Sequence, residues 1–238
     1  MVTASVQAAL PDVMVSGEFA ALVGAGHQRM VAQAMVAGAA GFEPAVLSAV
    51  LQRQAASTTV TVARALGPHP LLVALAADRV REALGQWSVT DTAVLVVGRG
   101  STDPESNAEL VKVARLLQEG RELGLVEVAF LRRSGPDVAT GLARCAALGA
   151  ARVVVAPYVL LDPVFTAQVA TVARAAGAGL PVAGAGLPIA VAGHLNDSVQ
   201  LTALVVERYH EALHGDLRMN CDVCGYRELR PEGMAGSV

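Results

Sequence analysis

A Gly-rich polar loop, five histidines and a Cys-x-x-Cys pair carry the chemistry that this chain offers. The loop, Gly98-Arg-Gly-Ser-Thr-Asp-Pro-Glu-Ser-Asn107, follows directly on the apolar run Thr92-Ala-Val-Leu-Val-Val97. A Val-rich run of this kind reads as a strand buried on both faces of a parallel sheet. The loop therefore leaves the sheet at its carboxyl edge, where open α/β sheets bind ligands. Gly98 and Gly100 allow a sharp turn and a close backbone approach, and Asp103-Pro104-Glu105 reads as an N-cap with proline at the first helical position. Two uses are open to Arg99, Gly100, Ser101, Thr102 and Asp103: they cap a helix, or they join the loop amides in holding an anion. His69, in Leu66-Gly-Pro-His-Pro70, and His194, in Ala192-Gly-His-Leu195, each follow a strand pattern, which puts both at a carboxyl edge. A neutral imidazole there binds a metal or accepts a proton; equally, it hydrogen-bonds within its own turn. His27 precedes its strand and belongs to the opposite edge.

The last two histidines, His210 and His214, are four apart on one face of a helical pattern, and the chain then runs into Met219-Asn-Cys-Asp-Val-Cys224. With Cys221 and Cys224 they would complete a tetrahedral zinc site, although histidine near a helix C-terminus is also favoured by the helix dipole. Two cysteines do not complete a four-thiolate iron-sulfur site, so a cluster here would need Cys145, a non-cysteine ligand or a second subunit. Cys145 lies in an apolar helix pattern and reads as a core thiol.

The elements that must position these residues are legible in the hydrophobic pattern. From the start of the Val-rich run the spacing predicts strand 93–97, helix 104–119, strand 126–131, helix 136–148, strand 152–157, helix 164–176, strand 180–183 and helix 199–214. The earlier half predicts a helix ending near Leu10, a strand near 13–16, then strand 29–36, helix 43–56, strand 58–64 and helix 70–84. The halves resemble an internal repeat: Arg29 to Phe42 aligns with Arg152 to Phe165, and Arg79-Val-Arg-Glu-Ala-Leu84 echoes Arg208-Tyr-His-Glu-Ala-Leu213. A repeat implies two α/β halves, 1–88 and 89–216, with a tail over 217–238, and a ligand between the two carboxyl edges. At 238 residues, 53% apolar and 16% charged, the chain is long and apolar enough for a substantial core. The longest uncharged stretch, Ala175 to Gly193, is broken by Pro181 and Pro188, so no membrane span is expected. No secretory pattern opens the sequence, which makes the cytoplasm the expected location. A net charge of −3, 3% aromatics and no Lys/Arg cluster argue against a nucleic-acid partner.

Together the loop GRGSTDPESN, the segment LGPHPLL and the tail ERYHEALHGDLRMNCDVCGYR resemble the long-form CbiX type of sirohydrochlorin cobaltochelatase, over 92–228 and more loosely over 11–84. The resemblance implies a fold of two chelatase-like three-layer α/β/α halves with parallel sheets, the first lacking its opening strand. It implies insertion of Co2+, as substrate metal, into a carboxylate-rich tetrapyrrole in cobalamin biosynthesis. It also places a 4Fe-4S centre at the Met-x-Cys-x-x-Cys tail, on Cys221 and Cys224, ahead of zinc with His210 and His214. Partners would be the tetrapyrrole, a divalent metal ion and further subunits in a homo- or hetero-oligomer. Family members carry an HGT or HGS loop after the first strand and a GxHV segment; here the second reads Ala37-Gly-Ala-Ala-Gly-Phe-Glu-Pro44, and Tyr158-Val-Leu-Leu-Asp-Pro163 also lacks histidine. Arg99, Gly100, Ser101, Thr102 and Asp103 are then the expected substrate contacts, and His69, His194 and Glu43 the groups left to take protons or guide metal. The competing expectation is a degenerate homologue that binds tetrapyrrole or metal without turnover.

Overall fold

Strands that are apolar on both sides must be covered on both sides, and the run after Asp91 meets that requirement. In a computed structural model, which describes residues 21, 23–26, 28–37, 58–121, 123–160, 162–182, 184–195 and 198–215, the seven residues of this strand are all buried. The expected elements near Leu10, 13–16 and 43–56, together with His27, Glu43, Cys221 and Cys224, lie outside the described residues.

The described elements are β1 (Arg29–Ala32), β2 (Thr59–Val62), α1 (Pro70–Leu84), β3 (Thr92–Gly98), α2 (Pro104–Gly120), β4 (Val126–Phe130), α3 (Val138–Ala147), β5 (Arg152–Pro157), α4 (Pro163–Ala178), β6 (Pro181–Val182), β7 (Ala185–Gly186), β8 (Ile189–Val191) and α5 (Val199–His214). They fall into two units. The larger holds residues 35–37 and the described chain from Leu66 to Leu204; the smaller holds β1, β2 and α5 from Val205 onward.

In the larger unit β4-β3-β5-β8 form a four-stranded sheet with every pair parallel. Alternation along β3 sends Ala93, Leu95 and Val97 into one core with Val138, Leu142 and Cys145 of α3 and Phe165, Val169 and Ala173 of α4. The opposite positions, Val94 and Val96, are equally buried, and α1 and α2 lie against β3 and β5 with Leu72, Val80, Val113 and Leu117 buried. The result is a helix–sheet–helix sandwich. Each fully buried Leu or Val contributes about 1.5–3 kcal/mol by leaving water.

Helix starts follow side-chain chemistry. Asp103 caps α2, Asp137 caps α3 and Asp162 caps α4, each accepting a backbone N–H from the first turn, and Pro104 and Pro163 occupy the first turn where a missing N–H costs nothing.

One expected strand is moved. Residues 181–182 do not join the main sheet; they pair antiparallel with β7 in a small hairpin, and β8 supplies the fourth parallel strand. Pro181 has no N–H for a ladder, and Gly184 at φ 83 permits the tight reversal. The apolar run then resumes at Ile189, which pairs with Val153.

In the smaller unit β1 and β2 pair parallel from Arg29↔Thr59 to Ala32↔Val62. Both strands stop short of the expected 29–36 and 58–64, because the Gln33 side-chain amide takes over from the ladder: Nε2 donates to the carbonyls of Ala34 and Arg64. Here α5 is anchored by Arg208, which is fully buried, donating from Nε to the Ala65 carbonyl (3.3 Å) and from Nη1 to both Glu211 oxygens (2.9 and 3.0 Å). Arg64 reaches the same Glu211 carboxylate at 2.7 Å. In the larger unit Arg79 of α1 does the same, donating from Nε to the His194 carbonyl (3.2 Å) and from Nη1 to Glu82. The two anchors are the Arg-x-x-Glu segments that the sequence aligns as a repeat.

Candidate functional site

The carboxyl ends of three parallel strands converge in the larger unit. Past β3 the backbone is lashed to both neighbours: Leu131 N–H donates to the Gly98 carbonyl (2.9 Å), Arg132 N–H to that of Arg99 (3.2 Å), and Tyr158 N–H to that of Val97 (2.8 Å). A cleft of ≈ 200 Å³ opens at this edge. Arg99, Gly100, Asn107 and Glu109 line it from the β3 exit and α2, Tyr158 and Asp162 from the β5 exit, and Pro68 and residues 35–37 from elsewhere in the unit. Leu110, Val113, Phe130 and Val159 make the rest of the wall apolar.

The loop after β3 is shaped by contact as much as by conformation. Gly100 adopts φ 83, and a Cβ there would overlap the Arg132 carbonyl; a Cβ at Gly98 would come within 2.6 Å of Leu110 Cδ2. Only glycine fits at position 100, whereas at 98 the Leu110 side chain would have to shift. Beyond them the amides of Ser101, Asp103, Glu105 and Ser106 are consumed internally. Asn107 accepts the Ser101 N–H (3.0 Å) and donates back to the Ser101 carbonyl (2.9 Å). The Ser101 hydroxyl accepts the Asp103 N–H, and Asp103 accepts the N–H groups of Glu105 and Ser106 and the Ser106 hydroxyl (2.6 Å). The Ser106 hydroxyl, followed by those two amides, holds the Asp103 carboxyl below its ordinary 3.8, outweighing an opposing effect of desolvation. Of the two uses open to this loop, capping is the one its amides serve, and an anion at this edge depends on side chains.

Arg99 is the side chain placed for that. It is largely exposed, forms an ion pair with Asp162 at 2.9 Å and lies 5.9 Å from the Phe165 ring centroid. Exposed pairs of this kind are worth about 0–1 kcal/mol, so a ligand carboxylate can replace Asp162 at little cost. Ser101 and Asp103 belong to the loop framework and Thr102 is exposed on it; none of the three lines the cleft.

The histidines separate. His69 is buried and caps α1, its Nδ1 accepting the Leu71 N–H at 3.2 Å. With that lone pair in use the neutral ring carries its proton on Nε2, so His69 serves as a helix cap in this structure. His194 follows β8, its backbone held by Arg79, and its buried Nδ1 has no hydrogen-bond partner among the described residues. Neither ring lines the cleft. His210 and His214 stack with centroids 6.0 Å apart on the exposed side of α5, with His214 Nδ1 2.8 Å from the His210 carbonyl. Among the described residues no three His, Cys, Asp or Glu groups are close enough to hold a metal ion. Cys145 is fully buried, and its thiol is pushed up to about 12 by burial first and by the Glu127 charge second. It is a core residue, in one cluster with Leu95, Leu142 and Phe165. The donors within Met219 to Cys224 do not fill a cluster's four positions unaided.

Three comparisons bear on this edge. The CbiX family model matches residues 93–212, which include nearly all of β3, its loop, β5 and most of α5. The chain belongs to the CbiX family. A curated relative, the sirohydrochlorin cobaltochelatase of Priestia megaterium, is 33% identical over 167 residues, 69% of this chain and 53% of that protein. The chain thus spans about half the length of the curated relative it matches. SirB from Bacillus subtilis with Fe3+ superposes at a TM-score of 0.67 with 19% identity, covering 83% of this chain and 77% of that one. The sirohydrochlorin chelatase SirB from Bacillus subtilis subspecies spizizenii, solved with cobalt, gives 0.58 and 15%, covering 83% and 74%. These likenesses establish the class II chelatase fold, α/β with parallel sheets.

For a CbiX-family chain, the sequence reading located the edge and missed half of its lining. Tyr158, Glu109, Asn107 and Asp162 were not among the expected site residues. Asp162-Pro163 repeats the N-cap signature of Asp103-Pro104, and that signal pointed to a second strand exit at the same edge. Nothing comparable marks Glu109, which is one polar residue among many on α2. No helix among the described residues is long and apolar enough to cross a membrane.

Proposed function

We propose that this chain is a sirohydrochlorin cobaltochelatase that binds a carboxylate-rich tetrapyrrole at the carboxyl edge of its four-stranded sheet and exchanges two pyrrole protons for Co2+. The observation that carries the reading is the cleft at the exits of β3 and β5, an apolar wall with Arg99 at its mouth, most of whose lining falls within the segment that matches the family. Ligand pockets usually measure roughly 300–1,000 Å³. A cleft of ≈ 200 Å³ therefore takes one acid-bearing edge of a macrocycle, not the whole.

Leu110, Val113, Phe130 and Val159 meet the ring's apolar rim, Gly100 allows backbone approach, and Arg99 exchanges Asp162 for a ligand carboxylate. Metal insertion also needs groups that accept two protons as the ion descends. His194, whose Nδ1 has no partner among the described residues and whose ring stands outside the cleft lining, is the candidate for one of them, and Glu43, on the sequence alone, for the other. Nitrogen donors discriminate weakly among Co2+, Fe2+ and Ni2+, so metal choice rests on supply as much as on the site. The two α/β halves over 1–88 and 89–216, a tail cluster involving Cys221 and Cys224, an oligomer and a cytoplasmic location belong to the same proposal, and no step above passes through the cluster.

The experiment is a spectrophotometric insertion assay with anaerobically purified protein, sirohydrochlorin and Co2+. Acceleration over the protein-free rate supports the reading. Saturable macrocycle binding with no acceleration would replace it with the degenerate binding homologue.

A further inference from the structure

Nearly every polar side chain of the cleft wall already has a partner inside the protein. Arg99 and Asp162 hold each other, Ser106 donates to Asp103, both ends of the Asn107 amide are bound to Ser101, and Glu109 also interacts within the protein. Tyr158 differs. The residue is 8% exposed, its backbone is fixed at the exit of β5, and its buried hydroxyl has no hydrogen-bond partner among the described residues. Leaving a buried hydroxyl unsatisfied costs about 1–3 kcal/mol, and folded proteins seldom carry such a group without a use for it. Gln33 and Thr92 also have unpartnered buried oxygens, and neither lines the cleft.

We infer that Tyr158 is a substrate-positioning residue whose Oη–H is reserved for a carboxylate oxygen on an acid arm of the tetrapyrrole. The inference rests on the function proposed above. Burial first, and the Glu109 charge second, push the Tyr158 phenol above its ordinary value, so it remains protonated at physiological pH and acts as a donor, not a base. An O–H donor in a low-dielectric wall finds its strongest partner in an anionic oxygen, and Arg99 at the same cleft supplies the positive charge that such an arm requires. Since the hydroxyl is closed off from water, the arm that reaches it parts apolar side chains of the wall. The contact would fix which edge of the macrocycle enters, a selection that the exposed and exchangeable Arg99 pair does not make unaided.

Tyr158→Phe in the full chain separates this role from a structural one, because it removes only the hydroxyl. Two measurements are needed: the melting temperature without ligand, and fluorescence titration with sirohydrochlorin. The expected result is an unchanged or raised melting temperature with roughly tenfold weaker binding, the loss of one charge-assisted hydrogen bond. A lowered melting temperature would show that the hydroxyl serves the fold, and unchanged binding that it does not meet the ligand; either overturns the inference while the proposed function stands. Absence of sirohydrochlorin binding by the wild-type chain would overturn both.

Discussion

Two strand exits at one sheet edge, after β3 and after β5, are built from the same parts and finished differently. Each ends in an Asp-Pro pair that starts a helix, Asp103-Pro104 for α2 and Asp162-Pro163 for α4. The first is closed on itself: Asn107 and Ser101 pin the loop and Asp103 serves its own helix. The second is left open, with Asp162 divided between its helix and Arg99, and the Tyr158 hydroxyl without a hydrogen-bond partner among the described residues. The contrast divides the labour at the proposed ligand edge: past Arg99 the β3 exit is a rigid frame, while Arg99 and the β5 exit carry the groups that can change partners.

The most severe way to break the contrast is to disrupt the frame. Gly100→Ala places a side chain at φ 83 against the Arg132 carbonyl, and we expect a loss of about 3 kcal/mol in denaturant unfolding together with more than tenfold weaker sirohydrochlorin binding. Asn107→Ala leaves the Ser101 amide and carbonyl without their partners, at a cost of about 2 kcal/mol read in the same experiment. Asp162→Asn tests the open exit. The amide oxygen can still accept the Phe165 N–H, so stability should move by less than about 1 kcal/mol, while release of Arg99 should tighten binding about threefold. The smallest effect concerns pH. The folded-state value of Asp103 lies below its ordinary 3.8, so its contribution to stability is present above that value and disappears as pH falls through the folded one. Asp103→Asn should therefore flatten the stability profile below about pH 4 and lower stability at neutral pH, where the amide nitrogen no longer accepts the Ser106 N–H and hydroxyl, as thermal unfolding across that range would show.

How much of this was legible in the sequence depended on range. The β3 run, the Asp103 cap with Pro104, and the limits of α1, β5 and α5 follow from local pattern, because burial on both faces and N-capping leave marks within a few residues. The Arg79 and Arg208 anchors were visible as an echo, although only the structure gives its meaning: in both, Nε grips the carbonyl of a strand-exit segment, His194 in one and Ala65 in the other. The fourth strand was misplaced because 180–183 and 189–191 are both short apolar runs, and which of them pairs with β5 is a tertiary matter. The capping bond of His69 was hidden for a related reason, since an imidazole before Pro70 reads alike as a ligand or as a cap. The Arg99–Asp162 pair and the lone Tyr158 hydroxyl depend on residues far apart in the chain, and no local pattern records them.

Whether the two exits together hold a tetrapyrrole is decided by fluorescence titration of sirohydrochlorin into the wild-type chain, Gly100→Ala and Asp162→Asn under one buffer. The expected result is saturable wild-type binding, weakened by the first substitution and strengthened by the second. Absence of saturable binding, or three indistinguishable curves, would contradict it.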